Sequence, residues 1–316
     1  MSPLRGSGRP ATREKRRPSS SGRRFSRRTK TRVAPFIFVL PNMVAIGLFA
    51  LWPMVNGFRE SFYKVIAGQP SKFDGLSNYR EIVSDSAFWS AVGNTFEFVI
   101  GFVGLTVVLS TAAAVLLHAQ RFAKGFFRAV VYVPVLISPI VVGILWNWIL
   151  NPTSGVLDAL FHQLGLAQPE WLVKPHLAMG SAVFVEIWAT LGFYTLIVLG
   201  GLQAIDGNLY DAAQVDGASE LSQFRYVTLP SLRATLLIVV VLSMITGFQA
   251  FEFLYTLTGG GPLGSTTLIV QYIYDHAFVP PNLNFGFALA GSVFLFLLLM
   301  VLTLVSLVAA RRRSAV

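Results

Sequence analysis

An all-α polytopic membrane protein, with six transmembrane helices and both termini cytoplasmic, is the fold class that this 316-residue sequence predicts. Three observations predict it. Only 13% of the residues are charged against 54% apolar, about half the charged share of a typical soluble domain, so most of the chain does not face water. Six apolar stretches reach the ~20 residues that a helix needs to cross a bilayer. Lys and Arg are distributed unevenly among the segments between those stretches, as a fixed orientation requires. A single soluble globule is excluded.

The stretches run approximately over 35–57, 94–117, 129–150, 176–202, 234–257 and 284–309. Backbone amides in hydrocarbon must be bonded within their own segment, so each is read as a helix. Pro41, Pro134 and Pro139 fall inside spans, where kinks are expected. With the N-terminus inside, the inner segments hold twenty Lys and Arg and the outer ones five (Arg59, Lys64, Lys72, Arg80 and Lys174). Cytoplasmic segments retain basic residues, and the even number of spans then places both termini inside.

The net charge of +10 belongs to one place. Residues 1–33 hold twelve basic residues against Glu14, and the remaining 283 residues sum to −1. This tail is rich in Arg, Ser, Gly and Pro and reads as disordered, anchoring topology beside anionic lipid, with a specific nucleic-acid role as the alternative. It is no signal peptide, because its charged region is too long and the apolar segment behind it is long enough to span. The absence of cysteine excludes disulfides and thiolate metal sites. His118, His162, His176 and His276 show no ligand spacing, so no metal is expected.

The segment 205–230, between the fourth and fifth spans, is cytoplasmic by this count, yet carries Asp206, Asp211, Asp216 and Glu220 against Arg225. Leu209, Ala212, Ala213 and Val215 predict a short helix, Gly217 a break, and Ala218 to Val227 a second helix stopped near Pro230. Such a surface suits docking into a basic cleft on another protein; an amphipathic linker would have the same pattern.

Here the residues carry a family likeness. Asp211-Ala212-Ala213, then Asp216-Gly217-Ala218, then Leu229-Pro230 resembles the "EAA" loop of membrane subunits of binding-protein-dependent ABC importers, in the sugar-importing branch typified by the maltose system. The family's usual Glu is Asp211 here, one methylene shorter. Leu40-Pro41, Trp52-Pro53, Gly75-Leu-Ser-Asn78-Tyr79, Trp148-Ile-Leu-Asn-Pro152 and Leu257-Thr-Gly-Gly-Gly-Pro262 resemble the same family in the same order. The resemblance implies the type I ABC importer permease fold. It implies a permease domain over 34–310 with 205–230 as its ATPase-coupling loop, preceded by the tail 1–33 and followed by a basic end, 311–316. The implied partners are a second, non-identical permease subunit, a pair of ATP-binding subunits, an extracellular solute-binding protein and a carbohydrate.

No Gly-x-x-x-x-Gly-Lys-[Ser/Thr] is present, so no phosphate cradle exists in this chain. No catalytic residue and no cofactor are expected, ATP-Mg being held by partner subunits. Ionisable groups inside spans are costly and therefore functional candidates. Glu97 follows Asn94 in an Asn-x-x-Glu arrangement that can cap the second helix. Glu186 lies about ten residues, roughly 15 Å, into the fourth span, with Thr190 and Tyr194 on its face at i+4 and i+8. A polar and aromatic face suits sugar hydroxyls and ring faces, although an interhelical hydrogen bond explains Glu186 as well. Gln249 and Glu252 near the outer end of the fifth span, and Asn147 on the third, complete the cavity candidates.

The sequence thus points to a permease subunit in a bacterial-type cytoplasmic membrane that passes a disaccharide or oligosaccharide by alternating access. The binding protein would meet the outer loops 59–92 and 255–283. A proton-coupled secondary transporter using Glu186 and Glu252, or an importer of glycerol 3-phosphate-like substrates, are the alternatives.

Overall fold

The computed structural model describes residues 39–66, 70–119, 124–281 and 283–314. The basic tail 1–33 and Arg121 lie outside the described residues. The chain divides into two compact units, Met1–Asn56 and Gly57–Val316. In the first, the described residues are helical from Val39, and this helix, α1, runs on to Glu60.

The second unit begins with a two-stranded antiparallel ribbon, β1 (Tyr63–Lys64) and β2 (Lys72–Phe73), with Tyr63 opposite Phe73. Helices α2 (Ser77–Ser84) and α3 (Ser86–Ala119) follow. Next come α4 (Lys124–Tyr132) with a 3-10 turn at Val133–Leu136, α5 (Pro139–Ile149), α6 (Val156–Gln163) and α7 (Pro175–Gln203). The last group is α8 (Gly207–Val215), α9 (Glu220–Phe248), α10 (Glu252–Leu257), α11 (Ile269–Phe278) and α12 (Phe285–Ser314). Among the described residues five helices are long and apolar enough to cross a membrane: α1, α3, α7, α9 and α12. A sixth crossing exists if the bent pair around Ile137 and Ser138 counts as one span.

The core is the meeting of α3, α7 and α9, where Phe98, Phe102, Tyr194, Val198, Val239 and Phe248 are buried together. A second cluster, Ile82, Phe88, Ile269, Tyr272 and Phe287, joins α2 and α11 to the starts of α3 and α12. Asn78 organises the segment beside it, its Nδ2 donating to the carbonyls of Ser61 (2.9 Å) and Tyr63 (3.0 Å).

Several boundaries differ from the sequence expectation. The second helix starts at Ser86, not near 94, because Asp85 caps it: Oδ1 accepts the Ala87 amide at 2.8 Å. Asn94 is therefore interior and caps nothing. Its Nδ2 instead donates to the carbonyls of Gly264 (2.9 Å) and Thr267 (3.1 Å), some 170 residues away.

The third span is broken. Pro134 lies in the 3-10 turn and Pro139 opens α5, and the two helical pieces meet at 96°. Pro removes an amide donor and displaces the carbonyl four residues earlier, so two prolines five residues apart leave no uninterrupted α-turn between them. The break is held by close packing. A Cβ at Gly192 would lie 2.3 Å from the Val131 carbonyl oxygen, and one at Gly143 would lie 2.2 Å from that of Phe253.

Pro230 does not stop a helix, contrary to expectation. A π-turn at Phe224–Thr228, closed by the Leu229 amide on the Phe224 carbonyl, lets α9 run through the proline. The same arrangement occurs in α1, where a π-turn at Gly47–Leu51 ends two residues before Pro53. A widened turn makes room for the carbonyl that the proline ring would strike. In α1 the irregularity accordingly lies before Pro53 and not at Pro41.

The fifth span ends at Phe248, nine residues earlier than the hydropathy suggests, and Gln249–Phe251 are non-helical. The chain then restarts as α10, which is stitched to α5: Asn147 Nδ2 donates to the Leu257 carbonyl at 2.7 Å, and Thr256 Oγ1 to that of Ile140 at 3.2 Å.

Candidate functional site

Non-helical backbone at membrane depth persists only where protein buries it or where it lines a cavity. Both chain breaks border the same cavity. It measures about 400 Å³ and is lined by Ile137 and Pro139 from the first break, by Gln249, Ala250 and Phe251 from the second, and by Glu186, Ala189 and Thr190 of α7. Val135, Val142, Thr246, Glu252, Phe253 and Val270 complete it.

Four of the six sequence-derived cavity candidates, Glu186, Thr190, Gln249 and Glu252, therefore come together. Glu186 is 7% exposed and projects from an unbroken stretch of α7. Thr190 Oγ1 donates back to the Glu186 carbonyl at 2.7 Å, which fixes its rotamer. Tyr194 stands one turn further along, buried, with its hydroxyl donating to Thr246 Oγ1 at 3.1 Å. It does not line the cavity but positions a residue that does. Asn147 is not in the lining, its amide being spent on Leu257. Phe251 carries an aromatic group to the rim, against Tyr274 (4.8 Å between centroids) and Tyr255 (5.4 Å).

Thr246 and Phe251 were missed in the sequence because they matter only once the helix breaks at Gln249. Nothing in Phe248-Gln-Ala-Phe251 signals that break. The lining offers carboxylates, an amide and hydroxyls beside aromatic and aliphatic walls, and no Lys or Arg. Such a set accepts hydrogen bonds from hydroxyl groups and packs on their carbon skeleton.

The second candidate site is the segment 205–230. Asp206 caps α8, its Oδ1 accepting the Asn208 amide at 3.0 Å. The helix ends on Gly217 at φ +77°, a left-handed position that favours glycine, with the Ala218 amide bonding the Ala213 carbonyl at 2.9 Å. Asp211, Ala212 and Asp216 are exposed and Ala213 and Ala218 partly so. Around the acids stand exposed apolar side chains: Leu209, Val215 (88% exposed), Leu221, Tyr226 and Leu229. Apolar groups of this size left in water beside charges mark an interaction surface.

The surface is tied to the membrane core. Tyr210 and Thr228 hydroxyls share a hydrogen bond of 2.9 Å, and Gln223 Nε2 donates to the Ala218 carbonyl at 3.0 Å. Because α9 is continuous through Leu229 and Pro230, α8 is joined through Tyr210 to a helix that reaches the cavity end at Phe248.

Comparison with known proteins agrees with this arrangement. The family model described as "Binding-protein-dependent transport system inner membrane component" matches residues 106–314. The trehalose/maltose transport system permease protein MalF of Thermococcus litoralis is 32% identical over 280 residues, covering 88% of this chain and 94% of that protein. The arabinooligosaccharides transport system permease protein AraP of Bacillus subtilis is 29% identical, covering 87% and 88% respectively. Among solved structures, a bacterial ABC transporter involved in the import of the acidic polysaccharide alginate superposes with a TM-score of 0.77 over 90% of this chain and 98% of that one. At 23% identity this likeness speaks for the fold alone.

Proposed function

Because the chain belongs to the family of inner-membrane components of binding-protein-dependent transport systems, we propose that it is a membrane-spanning subunit of an ATP-driven importer for a disaccharide or oligosaccharide. The cavity carries the reading: two helix breaks converge on Glu186, Gln249 and Glu252, and the backbone they interrupt lines a single polar cavity. The names of relatives that transport maltose, trehalose and arabinooligosaccharides support the carbohydrate class.

In this reading the chain crosses the cytoplasmic membrane six times, the bent pair counting as the third span, with both termini inside. Residues 1–33 and 311–316 are basic cytoplasmic ends around the permease domain. A second permease subunit completes the pathway, two ATP-binding subunits hydrolyse ATP-Mg, and an external solute-binding protein delivers the sugar. Asp211, Ala212, Ala213, Asp216, Gly217 and Ala218 form the ATPase-facing surface, and Leu229 and Pro230 lie where α9 leaves its π-turn and carries the displacement of that surface to the cavity. ATP favours one of two packings by binding it more tightly, and the spans follow as a population shift.

A cavity that places Glu186 and Glu252 together without a cation disfavours a phosphate-bearing substrate. The test is uptake of labelled oligosaccharides into proteoliposomes holding the complete complex. Uptake is expected to need ATP and the binding protein, to fall in Glu186→Gln, and to vanish in Asp211→Lys with loss of ATPase co-purification. Uptake that continues on a proton gradient without ATP would overturn the proposal.

A further inference from the structure

The wall of the cavity continues past its rim. Phe251 and Val270 both line the cavity, and from them a run of aromatic rings leads away. On α11, Val270, Tyr274 and Phe278 follow at i, i+4 and i+8, one stripe of about 12 Å at 1.5 Å per residue. The opposite face of the same helix is core: Ile269 and Tyr272 are buried, and the Tyr272 hydroxyl is bound to Asp85. Tyr274 is only partly covered, and Phe278 is 56% exposed.

The rings hand over to one another without a gap. Phe251 meets Tyr274 at 4.8 Å, Tyr274 meets Tyr255 at 5.6 Å and Phe278 at 5.1 Å, and Phe278 meets Phe285 at 5.2 Å. Phe285 is the first residue of α12, so five rings from the helix break, α10, α11 and α12 connect the cavity with the end of the last span. In the orientation proposed above, that end is the outer one.

A core cluster would be covered, yet Tyr255 is 40% exposed and Phe278 more so. An aromatic belt against lipid lies at one depth, whereas this stripe follows its helix inward until it stands beside Gln249 and Glu252 in the cavity lining. Residues 255–283 also contain no Lys or Arg to hold a lipid headgroup. Flat apolar faces that lead to carboxylates and an amide suit a sugar ring, whose C–H face stacks while its hydroxyls stay in water. We propose that Phe251, Tyr255, Tyr274, Phe278 and Phe285 form an entry track, on which the ring faces of an oligosaccharide stack in succession between the outer surface and the cavity. The proposal rests on the carbohydrate reading above and adds a selectivity to it. A longer oligosaccharide covers several rings at once, and an open-chain polyol has no ring face to offer.

The test uses the complete complex in proteoliposomes and a panel of labelled di- and trisaccharides, among them trehalose, maltotriose and arabinotriose. Tyr274→Leu and Phe278→Leu keep the apolar bulk and remove the flat face. With assembly checked by ATPase co-purification, uptake is expected to fall about threefold to tenfold in each, and further for trisaccharides than for disaccharides. Tyr274→Phe and Phe278→Tyr keep the face and are expected to transport as wild type does. Unchanged uptake in the Leu variants, or an equal loss in the Leu and aromatic variants, would overturn the track and leave the carbohydrate reading standing. A wild-type complex that imports none of the sugars would overturn both. Because the chain has no cysteine, Phe278→Cys places a single thiol on the track. In nanodiscs during ATP turnover, modification of that thiol by a water-soluble maleimide supports the proposal. A thiol in this chain that reacts only after the complex is unfolded would place the stripe against lipid or the second permease subunit and overturn it. This measurement decides even where a Leu variant fails to assemble.

Discussion

Asn94→Ala tests the tie between the second span and the segment after the fifth. Asn94 Nδ2 makes two hydrogen bonds, 2.9 Å to Gly264 O and 3.1 Å to Thr267 O, and among the described residues no other side chain binds both carbonyls. At a net ~1 kcal/mol each, their loss destabilises the local structure by about 2 kcal/mol, roughly a thirtyfold rise in the equilibrium for opening that segment. Neighbouring bonds survive, notably Thr95 Oγ1 accepting the Ile269 amide at 2.9 Å, so the effect stays local to about 258–268. Asn94→Asp is expected to cost more, because a carboxylate would face two carbonyl oxygens with no proton to offer. The assay is amide hydrogen exchange of the detergent-purified protein, resolved by peptide. Protection over 258–268 should fall about thirtyfold while the helix start at Ser86 is unchanged. Fraying over 86–97 with an unaffected 258–268 would show that Asn94 is the helix cap its sequence context suggests, and would refute the reasoning.

Two further outcomes follow from contacts outside the spans. In a double-mutant cycle, Tyr210→Phe and Thr228→Val are expected to couple by about 1 kcal/mol in thermal unfolding, with faster exchange over 207–215 in each single variant; strict additivity would mean that the hydroxyl pair does not hold α8 to α9. Burial alone would raise the Asp85 carboxyl, but hydrogen bonds from Tyr272 and the Ala87 and Phe88 amides, with His276 nearby, outweigh it and hold it below the ordinary carboxylate range. Burial and the Asp85 partner push the Tyr272 phenol well above its usual value of about 10. The carboxyl's stabilisation is therefore present above pH ~4 and lost as pH falls through its lowered value, whereas that of the phenol is present below pH ~10 and lost as pH rises beyond it. Tyr272→Phe should weaken the acid loss and abolish the alkaline one in unfolding measured against pH. Unchanged profiles at both ends would contradict the pairing.

What the sequence made legible was what is local. Leu209, the alanines of α8, Val215 and Gly217 define a helix and its end within nine residues, and the structure has them as read. Glu186 and Thr190 share a face because one helix carries both, and spacing alone is enough for that. Gln249 and Glu252 reach the same cavity through a break that no residue near Gln249 announces. The break depends on α10 being bonded to α5 through Asn147 and Thr256, more than a hundred residues away. Asn94 was misread for the same reason: Asn-x-x-Glu is a valid local pattern, overruled by carbonyls that approach from the far end of the chain. The prolines were half legible. Pro134 and Pro139 break a helix as their chemistry requires, whereas Pro53 and Pro230 are absorbed by π-turns, whose five-residue closure leaves no mark in composition or periodicity.

The contacts at Gly143 and Gly192 give the broken third span an unusual mechanical property. At Gly192 backbone meets backbone with no room for even one carbon between them, whereas at Gly143 the Thr256 side chain is seated beside the Phe253 carbonyl. Where helices interlock by side chains, relative sliding has to lift knobs out of holes, so packed surfaces move in discrete jumps. A glycine against a carbonyl offers no knob. Of the two pieces of the bent segment, the one seated on α7 at Gly192 thus has no interlocking side chain at that point, whereas the other is pinned to α10 by Asn147 and Thr256, so that α5 and α10 shift as one body and adjustment at the break falls on the first piece.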